Sequence, residues 1–145
     1  MKWKLIVVGK PALAFAKSGV EEYIKRLRRY AAVEVQQLRE NGPEENGKRA
    51  LAASEGCIRI ILDERGRGLT TATFVEQVQT WQMNGVKRAA LIIGGADGHT
   101  DETRAAADVL LKLSDLTLQH EMALVILLEQ IYRIHTIIKG EPYHR

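Results

Sequence analysis

A single cysteine, Cys57, in 145 residues excludes an internal disulfide and a thiolate metal cage, and fits a reducing compartment. Beside the strand-like run Ile58–Leu62 it reads as a small core residue. No His/Cys cluster, His-Glu-x-x-His helix, Ser-His-Asp order or carboxylate dyad occurs in a supporting context, so metal catalysis and triad hydrolysis find no footing. Long apolar runs are missing too. The longest, Met122–Leu128, is far below the ~20 residues that span a membrane, and Leu5–Val8 is too brief for a signal-peptide core. No linker, repeat or low-complexity segment divides the chain. Charge is nearly balanced: the formal +3 and pI near 9.1 raise nucleic-acid binding only modestly. The expectation is a soluble, cytoplasmic, single domain over residues 1–145, with neither metal nor membrane as partner.

What is present is globular: 46% hydrophobic and 27% charged residues. A chain of this length buries about 68–70% of its unfolded surface. Trp3–Val8 reads as a buried strand ending at Gly9, and Ser18 as the cap of a helix reaching Tyr30. Ala32–Leu38 alternates as a strand, and Glu44–Glu55 reads as a helix closed by Gly56. Ile58–Leu62 is a third strand, Asp63–Gly68 a loop, and Thr70 or Thr71 opens a helix to Met83. Arg88–Ile93 is a fourth strand, Thr100–Ala107 a short helix, Val109–Leu113 a fifth strand and Gln119–Ile138 a long final helix. This alternation argues for an α/β fold, a largely parallel sheet flanked by helices. Ligands of such folds sit at the carboxyl ends of strands, which singles out the loops after Leu62, Ile93 and Leu113.

Gly94-Gly95-Ala96-Asp97-Gly98 allows close backbone approach by a ligand but lacks the Lys-Ser/Thr of a P-loop and the Rossmann glycine spacing; it reads equally as a tight strand-to-helix turn. Leu113-Ser114-Asp115-Leu116-Thr117-Leu118 forms an apolar-walled turn able to sandwich a flat base, or simply a strand end with Thr117 as helix cap. His120 reads as a first-turn structural residue. The final helix is apolar all round at Met122–Leu128 and requires burial on both sides, the second side against another subunit. Glu129 and Arg133 are spaced to pair at i, i+4, or Arg133 faces a phosphate or carboxylate. Lys25, Arg26, Arg28 and Arg29 form either a solvated face or, if coplanar with the ligand loops and with Lys139, His144 and Arg145, an RNA-binding surface. Tyr30, Tyr132 and Tyr143 offer stacking surfaces near the basic residues.

Five motifs stand in register along nearly the whole chain: Leu62-Asp63, Ile93-Gly-Gly95 with Gly98, Leu113-Ser-x-Leu-Thr-Leu118-x-His120, Glu129-Gln-x-Tyr-Arg133 and Pro142-Tyr-His-Arg145. Together they resemble the ribosomal large-subunit methyltransferase H family of the SPOUT superfamily. The resemblance implies an α/β sheet whose C-terminal part is threaded as a trefoil knot, which sequence physics alone argues against. It implies S-adenosylmethionine as methyl donor, with Leu62, Gly94, Leu113, Ser114, Asp115, Leu116, Thr117 and Leu118 as its contacts. It further implies a homodimer through the final helix, a substrate site using both subunits, and N3-methylation of a pseudouridine in 23S rRNA on assembled ribosomes. Three positions depart from the pattern: the Asn41–Gly47 connection is short, Gln119 stands where proline is common, and His99 replaces an apolar residue.

The chemistry so implied is in-line attack of a ring nitrogen on a sulfonium methyl, helped by near-attack positioning that can reach ~7–11 kcal/mol. Tyr143, His144 and Arg145 are the candidates for holding and polarising the target, Arg133 for a phosphate or substrate contact, and His144 for a general base. The alternatives are a knotted methyltransferase acting on tRNA or a ribose hydroxyl, a non-catalytic ribosome-binding module, and a nucleotide-binding oxidoreductase built on Gly94-Gly95.

Overall fold

Leu5–Val8 and Ala89–Ile93 are buried at every position, as strands covered by helices on both faces must be. The computed structural model describes residues 1–145. In chain order the elements are β1 (Lys2–Val8), α1 (Ala14–Leu27), β2 (Val33–Leu38), α2 (Pro43–Ala53), β3 (Ile58–Gly68), α3 (Thr71–Met83), β4 (Arg88–Ile93), α4 (Asp101–Ala105), β5 (Val109–Lys112) and α5 (His120–Ile138). The five strands form one sheet, ordered β2-β1-β4-β3-β5, with every pairing parallel. The expected α/β architecture is therefore the observed one.

Alternate residues of each strand enter different cores. Trp3, Leu5 and Val7 join residues of α1, α3 and α5, while Ile6 and Val8 join Ala50 of α2. Correspondingly α5 packs on α1 and α3, and α2 packs on α4. The β1–β2 and β3–β4 connections run toward one edge through α1 and α3. The β2–β3 and β4–β5 connections run the other way through α2 and α4. Changing face whenever direction reverses keeps every crossover of one hand, the constraint that parallel strands obey.

Several boundaries differ from the sequence expectation. Ser18 lies inside α1 and caps nothing; the helix starts four residues earlier, at Ala14, and Leu13 at its N-cap has no side-chain cap. The carboxylate of Glu121, from the first turn of α5, instead accepts the Ala12 and Leu13 amides, the latter at 3.1 Å. This cap comes from 108 residues away and has no local signature. Gln119 rather than Thr117 caps α5, its side-chain oxygen accepting the Glu121 and Met122 amides at 2.9 Å each. Asp63–Gly68 is not a free loop. The chain bulges after Leu62, and Arg67 and Gly68 pair again with Leu111 and Lys112 of β5. Gly66 permits this, since a Cβ there would lie 2.4 Å from the Leu110 carbonyl oxygen.

Trp3, on β1, and His135, on α5, tie helix to sheet through the larger core. The indole Nε1–H donates to His135 Nε2 at 2.8 Å, and the rings meet edge-on at 6.0 Å. Burial pushes the imidazole down to about 4 from its ordinary 6.5, so the folded protein holds it neutral. Between those values the unfolded chain binds the extra proton. Stability is therefore complete above about pH 6.5 and is lost as pH falls toward about 4, by roughly 3 kcal/mol. Urea unfolding at pH 7 and pH 4.5 checks this: His135→Gln should show a shallower loss across the window than the parent chain.

Candidate active site

The bulge of β3 after Leu62 and the loops at the carboxyl ends of β4 and β5 enclose a cavity of about 440 Å³, within the range of small-molecule sites. Leu62 and Gly94 line it, as do Leu113, Ser114, Leu116, Thr117 and Leu118 from the β5–α5 connection, with Ala123 of α5. Asp115 is the one residue of that run outside the lining. Its carboxylate pairs with Lys112 Nζ at 2.5 Å and is almost fully exposed. Ser114 shapes the turn, its hydroxyl oxygen accepting the Leu116 amide at 2.9 Å.

The wall at Gly94 is dictated by a neighbour that sequence reading treated only as a departure. A Cβ on Gly94 would meet the His99 ring at 2.9–3.2 Å, so the imidazole occupies the space a side chain would need. His99 Nε2 lies 3.0 Å from the Leu62 carbonyl oxygen. Burial holds the imidazole below its ordinary value against the opposing pull of Asp63. Since a carbonyl only accepts, the proton of the neutral ring is on Nε2. His99 thereby joins the loop after β4 to the end of the regular part of β3.

Arg104 of α4 makes the same junction a second time. Its Nη1 donates to the His99 carbonyl at 2.6 Å and to Asp63 Oδ2 at 3.2 Å, while Nη2 donates to Asp101 at 2.7 Å. The Asp63 side chain is 6% exposed and that of Arg104 16%. Asp63 also accepts the Arg65 amide at 2.7 Å, fixing the turn at the bulge. Neither Arg104 nor His99 was singled out as a site residue. Arg104 has no local signal, because its buried partner is 41 residues away.

The other candidate residues gather elsewhere. Arg133 Nε and Nη2 donate to Glu129 Oε1 at 2.9 and 2.6 Å, so the i, i+4 pair forms. Tyr143 Oη donates to the same oxygen at 3.1 Å, and Arg133 Nη1 lies 3.1 Å from His144 Nδ1. The Tyr143 ring packs edge-on against Tyr132 at 4.8 Å, with the Arg133 guanidinium 4.8 Å from its centroid. Burial, then the contact with the Tyr23 hydroxyl, raises the Tyr143 phenol well above its ordinary value, so it remains a donor. Arg145 is exposed and outside this cluster.

Cavity and tail cluster lie toward opposite ends of α5. Ala123 and Arg133 are ten residues apart, about 15 Å along a helix. The basic end of α1 adjoins the tail and not the cavity of the same chain: Tyr30 Oη donates to Glu141 and the Arg26 guanidinium lies 5.7 Å from the Tyr132 ring centroid. No group of three or more His, Cys, Asp or Glu side chains could hold a metal ion, and no helix is long and apolar enough to cross a membrane.

Fold and site thus define an α/β protein with a ligand cavity at the carboxyl edge of a parallel sheet, lined by a glycine turn and a leucine-rich turn. Residues 1–144 match the family described as "Predicted SPOUT methyltransferase". Over all 145 residues the chain is 45% identical to the ribosomal RNA large subunit methyltransferase H of Thermus thermophilus, covering 100% of this chain and 99% of that one. It is 41% identical to the protein of the same name from Deinococcus radiodurans, with the same coverage. A solved structure of a probable methylase family protein from Haemophilus influenzae shares the fold at a TM-score of 0.63 and 10% identity, over 99% of this chain and 70% of that one. The chain belongs to the SPOUT methyltransferases, within the ribosomal RNA large subunit methyltransferase H family.

If Arg104 keeps the cavity loops in place, Arg104→Met should weaken binding of S-adenosylmethionine by roughly tenfold, on the scale of losing a hydrogen bond to a charged group. Arg104→Lys should recover little of it, since an ammonium lacks the planar fork that spans His99 and Asp63. Isothermal titration of the free protein measures both.

Proposed function

We propose that this protein transfers a methyl group from S-adenosylmethionine to N3 of a pseudouridine in 23S rRNA, acting on assembled ribosomes as a homodimer. The observation that carries the reading is the cavity, which gathers seven of the eight motif residues implied as donor contacts from three separate segments. Its residues fit the donor: leucine side chains and a bare glycine turn supply apolar walls, and main-chain groups of the β5–α5 connection supply polar edges. Leu62, Gly94, Leu113, Ser114, Leu116, Thr117 and Leu118 would hold it. Asp115, the eighth, lies outside the lining with its side chain paired to Lys112. Bound there, S-adenosylmethionine supplies an electrophilic methyl group.

The chain's own work is placement. His99 and Arg104 hold the cavity loops, and the tail presents the His144 imidazole to the target nucleotide, with Tyr143 and Arg133 fixing it in place through Glu129. The distance of these tail groups from the cavity of the same chain supports a site made by two copies, each lending its tail to the other's cavity. Leu13 and Phe15, before and in the first turn of α1, are about half exposed, as is Met122 in the first turn of α5. Such apolar groups around two linked helix starts suit burial against a second copy. The reading carries with it a trefoil threading of the C-terminal part of the chain, one methyltransferase domain over residues 1–145, and a cytoplasmic location alongside ribosomes. Exposed Lys25, Arg28 and Arg29 beside the tail suit the phosphate backbone of an RNA.

Methylation of whole ribosomes, isolated subunits and free rRNA, followed by mapping of the modified position, tests the assignment. Product confined to tRNA or to a ribose hydroxyl would overturn it. Deleting Tyr143–Arg145 should leave donor affinity intact and lower methyl transfer by at least about a hundredfold, as loss of substrate positioning does. Unimpaired turnover would remove the tail from the site.

A further inference from the structure

We infer that His144 serves the reaction as a hydrogen-bond donor through Nε2–H, not as a general base, and that Arg133 is the positioning residue that sets this tautomer. The inference rests on the methyltransferase reading above. A guanidinium carries five N–H donors and no acceptor. Its Nη1 lies 3.1 Å from His144 Nδ1, so Nδ1 is the nitrogen with the lone pair, and the single proton of the neutral ring is on Nε2.

Arg133 cannot easily turn aside. Two of its nitrogens are bound to Glu129 Oε1 and its central carbon lies 4.8 Å from the Tyr143 ring centroid, which leaves Nη1 aimed at His144. Glu129 is itself fixed by the Tyr143 hydroxyl and by Gln130, which donates to Oε2 at 2.8 Å. The imidazole therefore meets a ligand with its N–H edge, while its basic nitrogen is engaged from behind. His144 is exposed, so that edge is accessible.

The chemistry has a use for such a donor. N3 of a uracil-type ring lies between two carbonyl groups. When N3 gives its proton to solvent, the negative charge spreads onto both carbonyl oxygens. The N3–methyl bond then forms as the carbon–sulfur bond of the donor breaks, its electron pair staying on sulfur. An N–H directed at one of those oxygens stabilises the anion, as oxyanion donors do. A lone pair in the same place would repel it.

Nitrogen-15 NMR of the free protein with labelled histidines, assigned with His144→Gln, reads the tautomer directly. His144 should carry the Nε2–H signature. His135 provides the opposite reference in the same spectrum, because its Nε2 accepts from Trp3. Arg133→Met should turn the His144 signal into the mixed signature of an imidazole held by nothing. Methyl transfer to ribosomes then reads the role. A glutamine amide places an N–H close to the Nε2 position, so His144→Gln should stay within about tenfold of the parent rate, while His144→Ala should fall roughly 10²–10³-fold. An Nδ1–H or mixed tautomer in the parent overturns the inference, and so does His144→Gln as inactive as His144→Ala. A parent protein that methylates no ribosome defeats the functional reading instead, and the spectrum still decides the tautomer.

Discussion

The cavity exists because segments from different strands are held to one another, and the Arg104 guanidinium is the group that joins two of the three. Arg104 is on the short helix α4, yet it reaches the turn after Leu62 through Asp63 and the turn after Ile93 through the His99 carbonyl. A parallel sheet fixes strands but not the loops beyond their carboxyl ends, where the ladder stops and backbone groups lose their partners. A planar fork with several donors suits that junction because it can satisfy two carbonyl or carboxylate acceptors at once. The Asp63 carboxylate is buried deeply enough that, without Arg104, it would lack its charged partner. His99 repeats the junction with an imidazole, and Gly94 is glycine because that ring takes up the space beside it.

Helix α5 then relates this cavity to the rest of the molecule. Its first turn is fixed by Gln119 from within and by Glu121, which caps α1, so the starts of the two helices form one rigid corner. Its middle is core: Leu124, Leu127, Leu128 and Ile131 are at most 2% exposed. Farther along, His135 is locked to Trp3 of β1, the strand next to β4. On another face, from mid-helix onward, α5 carries Glu129, Arg133 and the folded-back tail. One continuous rod thus fixes the distance between two clusters of reactive groups, and keeps them apart within one chain.

The order and type of the elements were legible in the sequence because a sheet covered on both faces demands near-continuous apolar strands, and helices demand their own period. The cavity was legible for a topological reason, since ligands of parallel sheets sit at strand ends. What escaped were interactions between residues distant in sequence. Glu121 capping α1, Arg104 reaching Asp63, and Gly66 lying against the Leu110 carbonyl leave no periodicity in a one-dimensional string. The re-pairing of Arg67 and Gly68 with β5 was hidden by a run of charged and glycine residues that reads as a loop. Family resemblance supplied the candidate donor contacts, but it assigned no role to His99 except as a departure, and geometry gave it one.

Keeping the two clusters apart has a physical consequence for a site assembled from two copies. A flexible tail would have to be ordered at the moment of binding, at about 0.5–1.5 kcal/mol for each immobilised side chain. Here Tyr143 is already wedged among Tyr23, Tyr132 and Arg133, and His144 is already held by Arg133. That ordering occurs on folding, within each chain. Two such chains would meet as preformed halves, with the donor walls on one and the hydrogen-bonding edge on the other. In the proposed two-copy site neither half would transfer a methyl group alone, so exposure of the cavity before assembly would carry little risk of misdirected chemistry.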